Sequence, residues 1–235
     1  MRKQISSLAD AELPPEKEDF RKTFQWRIFR IMAEFVEGFN FVADFKKSVT
    51  VFGSTVLKEN SPHYQKARQF GELMAKEGYM VVTGGGPGIM EAANRGAYEA
   101  GGESVGINIR LVEGERANPY LKKSIGFYYF FVRKVMLSFA SSGYVFFPGG
   151  FGTLDEFFEI VTLIQTKRLP NNVLVVAVGK DYWQPLFDWI RSGLAGTHKT
   201  INAKALDIFK LVDTPEEAVV LVKNNSNNKT FDISE

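Results

Sequence analysis

The stretch that most constrains this chain is Pro148-Gly149-Gly150-Phe151-Gly152-Thr153-Leu154-Asp155-Glu156. Residues 144–147 before it form a short apolar run of β-forming residues, and Leu154, Phe157, Phe158, Val161 and Ile164 after it recur at helical spacing. A strand therefore runs into a helix through a turn crowded with glycine. Residues without a Cβ let a ligand approach the main chain, and the free N–H groups and dipole of a new helix attract an anion such as phosphate. One charge at a helix start is worth roughly 0.3–1 kcal/mol when exposed and up to about 2 kcal/mol when partly buried, so several donors must act together. The same letters also spell a capping box, in which Thr153 caps the helix and Glu156 folds back onto the cap N–H. A simple cap does not need Gly149, Gly150 and Gly152 before it.

A second turn of the same kind is Thr83-Gly84-Gly85-Gly86-Pro87-Gly88-Ile89-Met90-Glu91, between a strand at residues 79–82 and a helix through Ala92, Ala93, Arg95, Ala97 and Tyr98. As a dinucleotide fingerprint it is incomplete: Ile89 stands where the third glycine belongs, and no acid clearly ends the next strand. It also lacks the Gly-Lys-Ser/Thr of a P-loop, which argues against ATP hydrolysis of that type. Gly53-Ser54-Thr55 follows a strand at residues 49–52 and is a third place where backbone could meet a ligand, although Ser54 also suits a plain turn.

The remaining elements follow in alternation. Helices are expected at residues 62–76, from Phe131 onward, around 182–190 and from Thr214-Pro215-Glu216-Glu217; strands at 104–109, 173–178 and 208–212, with a further apolar run at 125–130 and a polar loop at 113–123. Alternating strands and helices predict an α/β fold, a Rossmann-like doubly wound parallel sheet with ligands at the carboxyl ends of its strands. That rule sets the three glycine turns along one edge as walls of one nucleotide pocket. An amphipathic helix precedes the sheet: Phe20, Phe24, Ile28, Ile31, Met32, Phe35 and Phe39 keep a 3.6 period while Arg21, Lys22, Arg27, Arg30 and Glu34 face elsewhere. Such a stripe packs on its own core or on a partner subunit, or lies on a membrane surface. The expected organisation is an N-terminal extension and helix at 1–47, a nucleotide-binding domain at 48–223 and a flexible polar tail at 224–235.

Composition narrows the functions. With 235 residues, 45% of them hydrophobic, the chain can bury one substantial core. The absence of cysteine excludes a disulfide, a thiolate nucleophile and a cysteine metal site, and His63 and His198 alone make no case for a metal. The net charge of +2 comes from interleaved acids and bases, so nucleic acid is not an expected partner, and no membrane partner is expected either. With no apolar signal core and no 18-residue apolar run, the protein is expected in the cytoplasm.

Arg133 and Lys134 are the only charges in an apolar region that extends to Phe147. They either face solvent or aim at a phosphate or carboxylate, for which the guanidinium fork is suited. With Arg133-Lys134 between the two glycine motifs, the chain from about 49 to 223 resembles the LOG (Lonely Guy) family, whose members have often been labelled possible lysine decarboxylases. The resemblance implies a Rossmann-like homodimer or higher oligomer that cleaves the N-glycosidic bond of a nucleoside 5′-monophosphate, releasing base and ribose 5-phosphate without metal or organic cofactor. Cytokinin nucleotides are the best-known substrates, and some members accept AMP. It implies Arg133 and Glu156 as the catalytic pair. It further implies the motif glycines Gly84, Gly85, Gly86, Gly88, Gly149, Gly150 and Gly152, with Thr153, as the phosphate site; Gly53 and Ser54, at the end of their strand, and Met90 and Lys134, within the motifs, are further candidate substrate-binding residues. The chain departs from shorter members in its N-terminal helix and in Phe131-Val132 before the arginine, where they tend to carry His-Glu.

Chemistry supports the same pair. Cleavage of a ribosyl–base bond passes through an oxocarbenium-like state, which a carboxylate such as Glu156 can stabilise, or it can deprotonate the attacking water. Arg133 would hold phosphate or ribose in register or offset charge on the leaving base. Asp155 and Glu91 are secondary candidates that also suit a helix start. Lysine decarboxylation would need a pyridoxal-binding lysine, and nothing in the sequence singles one out. Phe127, Tyr128, Tyr129 and Phe130 either stack a base or pack in the core, the latter expected for at least half of them.

Overall fold

The computed structural model describes residue 19, residues 22–109 and residues 117–226. Phe20 and Arg21 of the expected amphipathic helix, part of the loop expected at 113–123 and the end of the polar tail lie outside the described residues.

Seven strands form one parallel sheet, β1 (Ser48–Phe52), β2 (Met80–Thr83), β3 (Ser104–Ile109), β4 (Lys123–Phe127), β5 (Gly143–Phe146), β6 (Leu174–Val178) and β7 (Phe209–Val212), in the order β4-β3-β2-β1-β5-β6-β7. The inner strands are buried along nearly their whole length, as sheets covered on both faces require. Alternate strand residues feed two cores. Val49, Val51 and Val81 pack with α2 (Pro62–Lys76), α3 (Ile89–Glu99) and α7 (Pro215–Ser226); Phe52, Val82 and Phe146 pack with α4 (Phe130–Phe139), α5 (Phe151–Gln165) and α6 (Lys180–Trp189). Phe157 is the hub of the second core, with Phe146, Trp183, Phe187 and Phe209 rings 5.2–5.6 Å from its own.

Differences from the sequence expectations have local causes. β4 starts at polar Lys123 rather than at Ile125, because an edge strand can carry exposed side chains on both faces. Phe130 then belongs to α4. After α6 the chain continues as a π-helical stretch, Ile190–Thr197, and a 3₁₀ turn, Ala203–Asp207, neither with a periodic signal to announce it. The last helix extends through Asn224 and Asn225, which the sequence had assigned to the tail. Its start is a true capping box: Glu217 N–H donates to Thr214 Oγ1 at 3.2 Å, and the Glu217 carboxylate accepts from the N–H groups of Asp213 and Thr214.

The N-terminal helix α1 (Phe24–Val42) lies against α4 with a face different from the expected stripe. Ile31 and Phe35 pack on the core, but Phe24, Ile28, Met32 and Phe39 are exposed. The packed face runs through Ile31, Glu34, Phe35, Gly38 and Val42, and Glu34, expected to point away, is buried. The reason is a hydrogen-bonding demand: its two carboxylate oxygens accept from the N–H groups of Tyr128 (3.0 Å) and Tyr129 (3.1 Å) where α4 begins.

Candidate active site

Strand order reverses between β1 and β5, and the carboxyl ends of strands at such a switch are where doubly wound sheets bind ligands. The glycine turns meet there and are joined through one residue. Ser54 N–H donates to Pro148 O at 3.0 Å, and Ser54 O accepts from Ile89 N–H, the first residue of α3, at 2.9 Å. Its hydroxyl accepts from Val56 N–H at 3.2 Å. Three loops, the outer two joined between positions 54 and 148, thus form one continuous floor.

Most of the glycines serve the packing of that floor. Gly88, at φ +71°, caps α3; a Cβ there would lie 2.2 Å from Ser54 O. Gly85, at φ +72°, presses on Asn108, Gly53 on Ile89, and Gly149 on Thr153 Oγ1 and Ser54 N. Gly84 lies under the Arg133 guanidinium and the Met90 thioether, and Gly86 under the Met90 methyl. Gly150 and Gly152 are different: a Cβ on either would meet no atom within 4 Å. Gly150 is the N-cap of α5, and the first turn closes when Leu154 N–H donates to Gly150 O at 3.1 Å, so the preceding N–H groups have no helical acceptor and stand beside open space. Free N–H groups at a helix start of this kind suit an anion.

The same boundary corrects the capping-box reading. Helix α5 begins at Phe151, two residues before Thr153, so Thr153 is the third helical residue and Glu156 the sixth. Glu156 is too far into the helix to reach the cap N–H, and no side chain caps this end. Thr153 turns its hydroxyl toward Gly149 instead.

Glu156 is 7% exposed and accepts no hydrogen bond from the described residues. Burial pushes its carboxyl up to about 7; the charges of Arg133 and Lys134 pull it down, and those of Asp155 and Glu159 add to the rise. Arg133, on the first turn of α4, is fixed by its Nε–H, which donates to Ile107 O at 2.9 Å. Burial lowers its pKa while the Glu156 carboxylate acts to raise it. The two groups feel each other's charge without a direct ion pair. A carboxyl poised near neutrality, within the field of a held guanidinium and on the helix that opens at the glycine turn, can exchange a proton or stabilise a developing cation at physiological pH.

Lys134 points to other partners: its Nζ donates to Asp155 at 2.7 Å and lies 3.4 Å from Glu159, with 16% of its side chain exposed. Burial works to lower its pKa, but the Asp155 hydrogen bond and the two carboxylate charges outweigh it. Asp155 thus anchors α5 to α4. Glu91, on the first turn of α3, accepts from Tyr64 Oη–H at 3.1 Å. Of the four aromatics, Phe127 is buried and Tyr129 packs on the core, whereas Tyr128 and Phe130 are exposed, Phe130 with its ring centroid 5.8 Å from the Arg133 guanidinium.

Sequence reasoning missed an amide network beneath the turn at Gly84-Gly85-Gly86. Asn118 donates its N–H to Gly85 O at 2.9 Å and its Nδ2–H groups to Gly86 O and Asn94 Oδ1. Asn94 also accepts from Thr83 Oγ1–H at 2.6 Å. The residues lie on separate elements, so no spacing marks them; Asn118-Pro119 read only as a loop. Tyr182 was missed likewise, and its hydroxyl donates to Gly149 O.

The family model described as "Possible lysine decarboxylase" matches residues 90–222, more than half of the chain, from the second residue of α3 into α7. The chain belongs to that family. Within it, the chain is similar to a cytokinin riboside 5′-monophosphate phosphoribohydrolase of Rhodococcoides fascians, 29% identical over 147 residues, 61% of this chain and 74% of the relative. A protein of the same name from Mycobacterium tuberculosis is 31% identical over 157 residues, 65% of this chain and 81% of the relative. These names support a hydrolase at the level of the family, the LOG proteins. In fold the chain resembles the molybdenum cofactor binding protein of Rippkaea orientalis (TM-score 0.59, 23% identity, covering 76% of this chain and 96% of that one). It likewise resembles the molybdenum cofactor carrier protein of Chlamydomonas reinhardtii (TM-score 0.57, 20% identity, covering 78% and 99%). Those two likenesses concern the fold alone. No helix among the described residues is long and apolar enough to cross a membrane.

Proposed function

We propose that this protein hydrolyses the N-glycosidic bond of a nucleoside 5′-monophosphate, AMP or an N6-modified AMP of the cytokinin type, to free base and ribose 5-phosphate. The observation that carries the reading is Glu156: buried, without a hydrogen bond from the described residues, its carboxyl pushed up to about 7, and on the helix whose start carries glycines facing open space. In this reading the 5′-phosphate sits on the N–H groups at the start of α5, above Gly150 and Gly152. The anomeric carbon then faces Glu156, whose ionised form stabilises the oxocarbenium-like state and takes a proton from the attacking water. Arg133, held by Ile107 O, offsets negative charge on the phosphate or on the departing base. Exposed Phe130, beside Arg133, is the surface on which the base would stack.

Lysine decarboxylation fits these residues poorly. A Schiff-base lysine needs a depressed pKa, whereas Lys134 is kept cationic by Asp155 and Glu159. A carrier of a phosphorylated ligand would use the same cradle, but would have no need of a carboxyl raised to about 7 at its side. The deciding experiment is incubation with a panel of nucleoside monophosphates followed by chromatography. Release of base and ribose 5-phosphate is expected, with turnover falling about 10²–10⁴-fold in Glu156→Gln while nucleotide binding persists. Binding without release by the wild-type protein would identify a carrier, and unchanged release by the variant would remove Glu156 from the chemistry.

A further inference from the structure

We propose that Glu34, on the helix that precedes the sheet domain, is a positioning residue for Arg133; the inference rests on the reading above in assigning Arg133 a part in the reaction. Helix α4 has no cap of its own: Tyr129 stands at its N-cap without a side-chain hydrogen bond, and its first turn carries no acid. The free N–H groups that this leaves would be costly to bury. Glu34 supplies the acceptor from a different element. One carboxylate oxygen accepts from Tyr128 N–H at 3.0 Å and the other from Tyr129 N–H at 3.1 Å, and the side chain is 7% exposed. An anion at this position also complements the positive end of the α4 dipole.

The link to Arg133 runs through a single residue. Tyr129 donates its N–H to Glu34, and its carbonyl accepts from Arg133 N–H at 3.2 Å, the bond that closes the first turn of α4. Glu34 therefore sets where that turn begins, and with it the depth at which the guanidinium reaches over Gly84 to Ile107 O. The carboxylate is held in place because α1 is seated on α4 through the two turns that follow it. Phe35 meets Phe131 at 6.5 Å and Phe39 meets Phe139 at 5.6 Å between ring centroids, while Gly38 fits so closely to Met136 that a Cβ would lie 2.5 Å from its sulfur. Helix α1 lies outside residues 90–222, so this clamp comes from the chain's extension rather than from the part matched by the family model.

The test uses the full chain with Glu34→Gln, which keeps the shape but sets an amide N–H₂ against one of the two backbone donors, and Glu34→Asp, which keeps the charge. Amide exchange across residues 128–133, thermal midpoint and steady-state release of base from the best nucleoside monophosphate are measured for each. In Glu34→Gln, exchange over 128–133 is expected to accelerate about tenfold while the sheet strands stay protected, and kcat to fall about tenfold with KM within about twofold. Glu34→Asp should recover part of both losses. Unchanged exchange over 128–133, or a loss of rate that vanishes when expressed per folded molecule, would overturn the proposal. If the wild-type protein releases base from no nucleotide, the proposed function fails, whereas the exchange data still decide whether Glu34 holds the start of α4.

Discussion

Replacing Glu156 by Gln should make the protein more stable in alkaline solution while removing its activity. An exposed glutamate titrates near 4.5, whereas burial, only partly opposed by Arg133 and Lys134, moves this one to about 7. The folded state therefore favours the protonated form. Stability from this group is fully present below about 4.5 and is lost as pH rises through 7, because the native chain then holds an ionised carboxylate in a poorly solvated place. At 1.36 kcal/mol per pH unit, the displacement from 4.5 to about 7 corresponds to about 3 kcal/mol by pH 8.5. Gln imitates the protonated acid at every pH and escapes that cost. For a chain of this length, 3 kcal/mol amounts to roughly 6–12 °C in thermal midpoint. Urea and thermal unfolding of both proteins at pH 4.5 and 8.5 should show coincident stabilities at the lower pH and a gap favouring the variant at the higher. Parallel curves, with the same difference at both pH values, would mean that Glu156 is solvated like any surface acid, and the argument for its catalytic role would lose its physical basis.

Because the proposed base acts when ionised, kcat/KM should rise with pH through about 7 and level off above it; a pH–rate profile checks this, and a falling limb there would instead mark Glu156 as a proton donor. Gly152→Ala adds a methyl where no protein atom lies within 4 Å, so thermal midpoint should hold or rise slightly, while crowding of the cradle raises KM at least tenfold in the base-release assay. Gly149→Ala sets its methyl 2.0 Å from Thr153 Oγ1 and 2.9 Å from Ser54 N, and denaturant unfolding should show a loss of about 1–3 kcal/mol.

The architecture was legible wherever local pattern and long-range packing ask for the same residues. Apolar β-runs ending in glycine, followed by 3.6-residue periodicity, mark β1, β2 and β5 and the helices after them, and the rule for parallel sheets brings their turns together. The letters failed where identical spacing serves two geometries. Thr153-Leu154-Asp155-Glu156 and Thr214-Pro215-Glu216-Glu217 both have the form of a capping box, yet only the second is one, because at the first the helix has already started at Phe151. Glu34 was misplaced for a different reason. A helical wheel assigns a glutamate to solvent, but its partners at Tyr128 and Tyr129 are 94 and 95 residues away, beyond the reach of any local pattern. The amide network of Asn94 and Asn118 is invisible on the same ground.

Ser54 ties Pro148 to Ile89, so the floor formed by the three loops has no part that can shift alone. A sugar phosphate resting there would meet a surface already in its final shape, and recognition of that portion would cost little reorganisation. In the proposed function, choice among heterocycles would fall to Phe130, exposed on the helix whose start Glu34 secures. Grip and taste would then belong to separate pieces of the chain, so that exchanging Phe130 should change which nucleotide is preferred while leaving the hold on its phosphate intact.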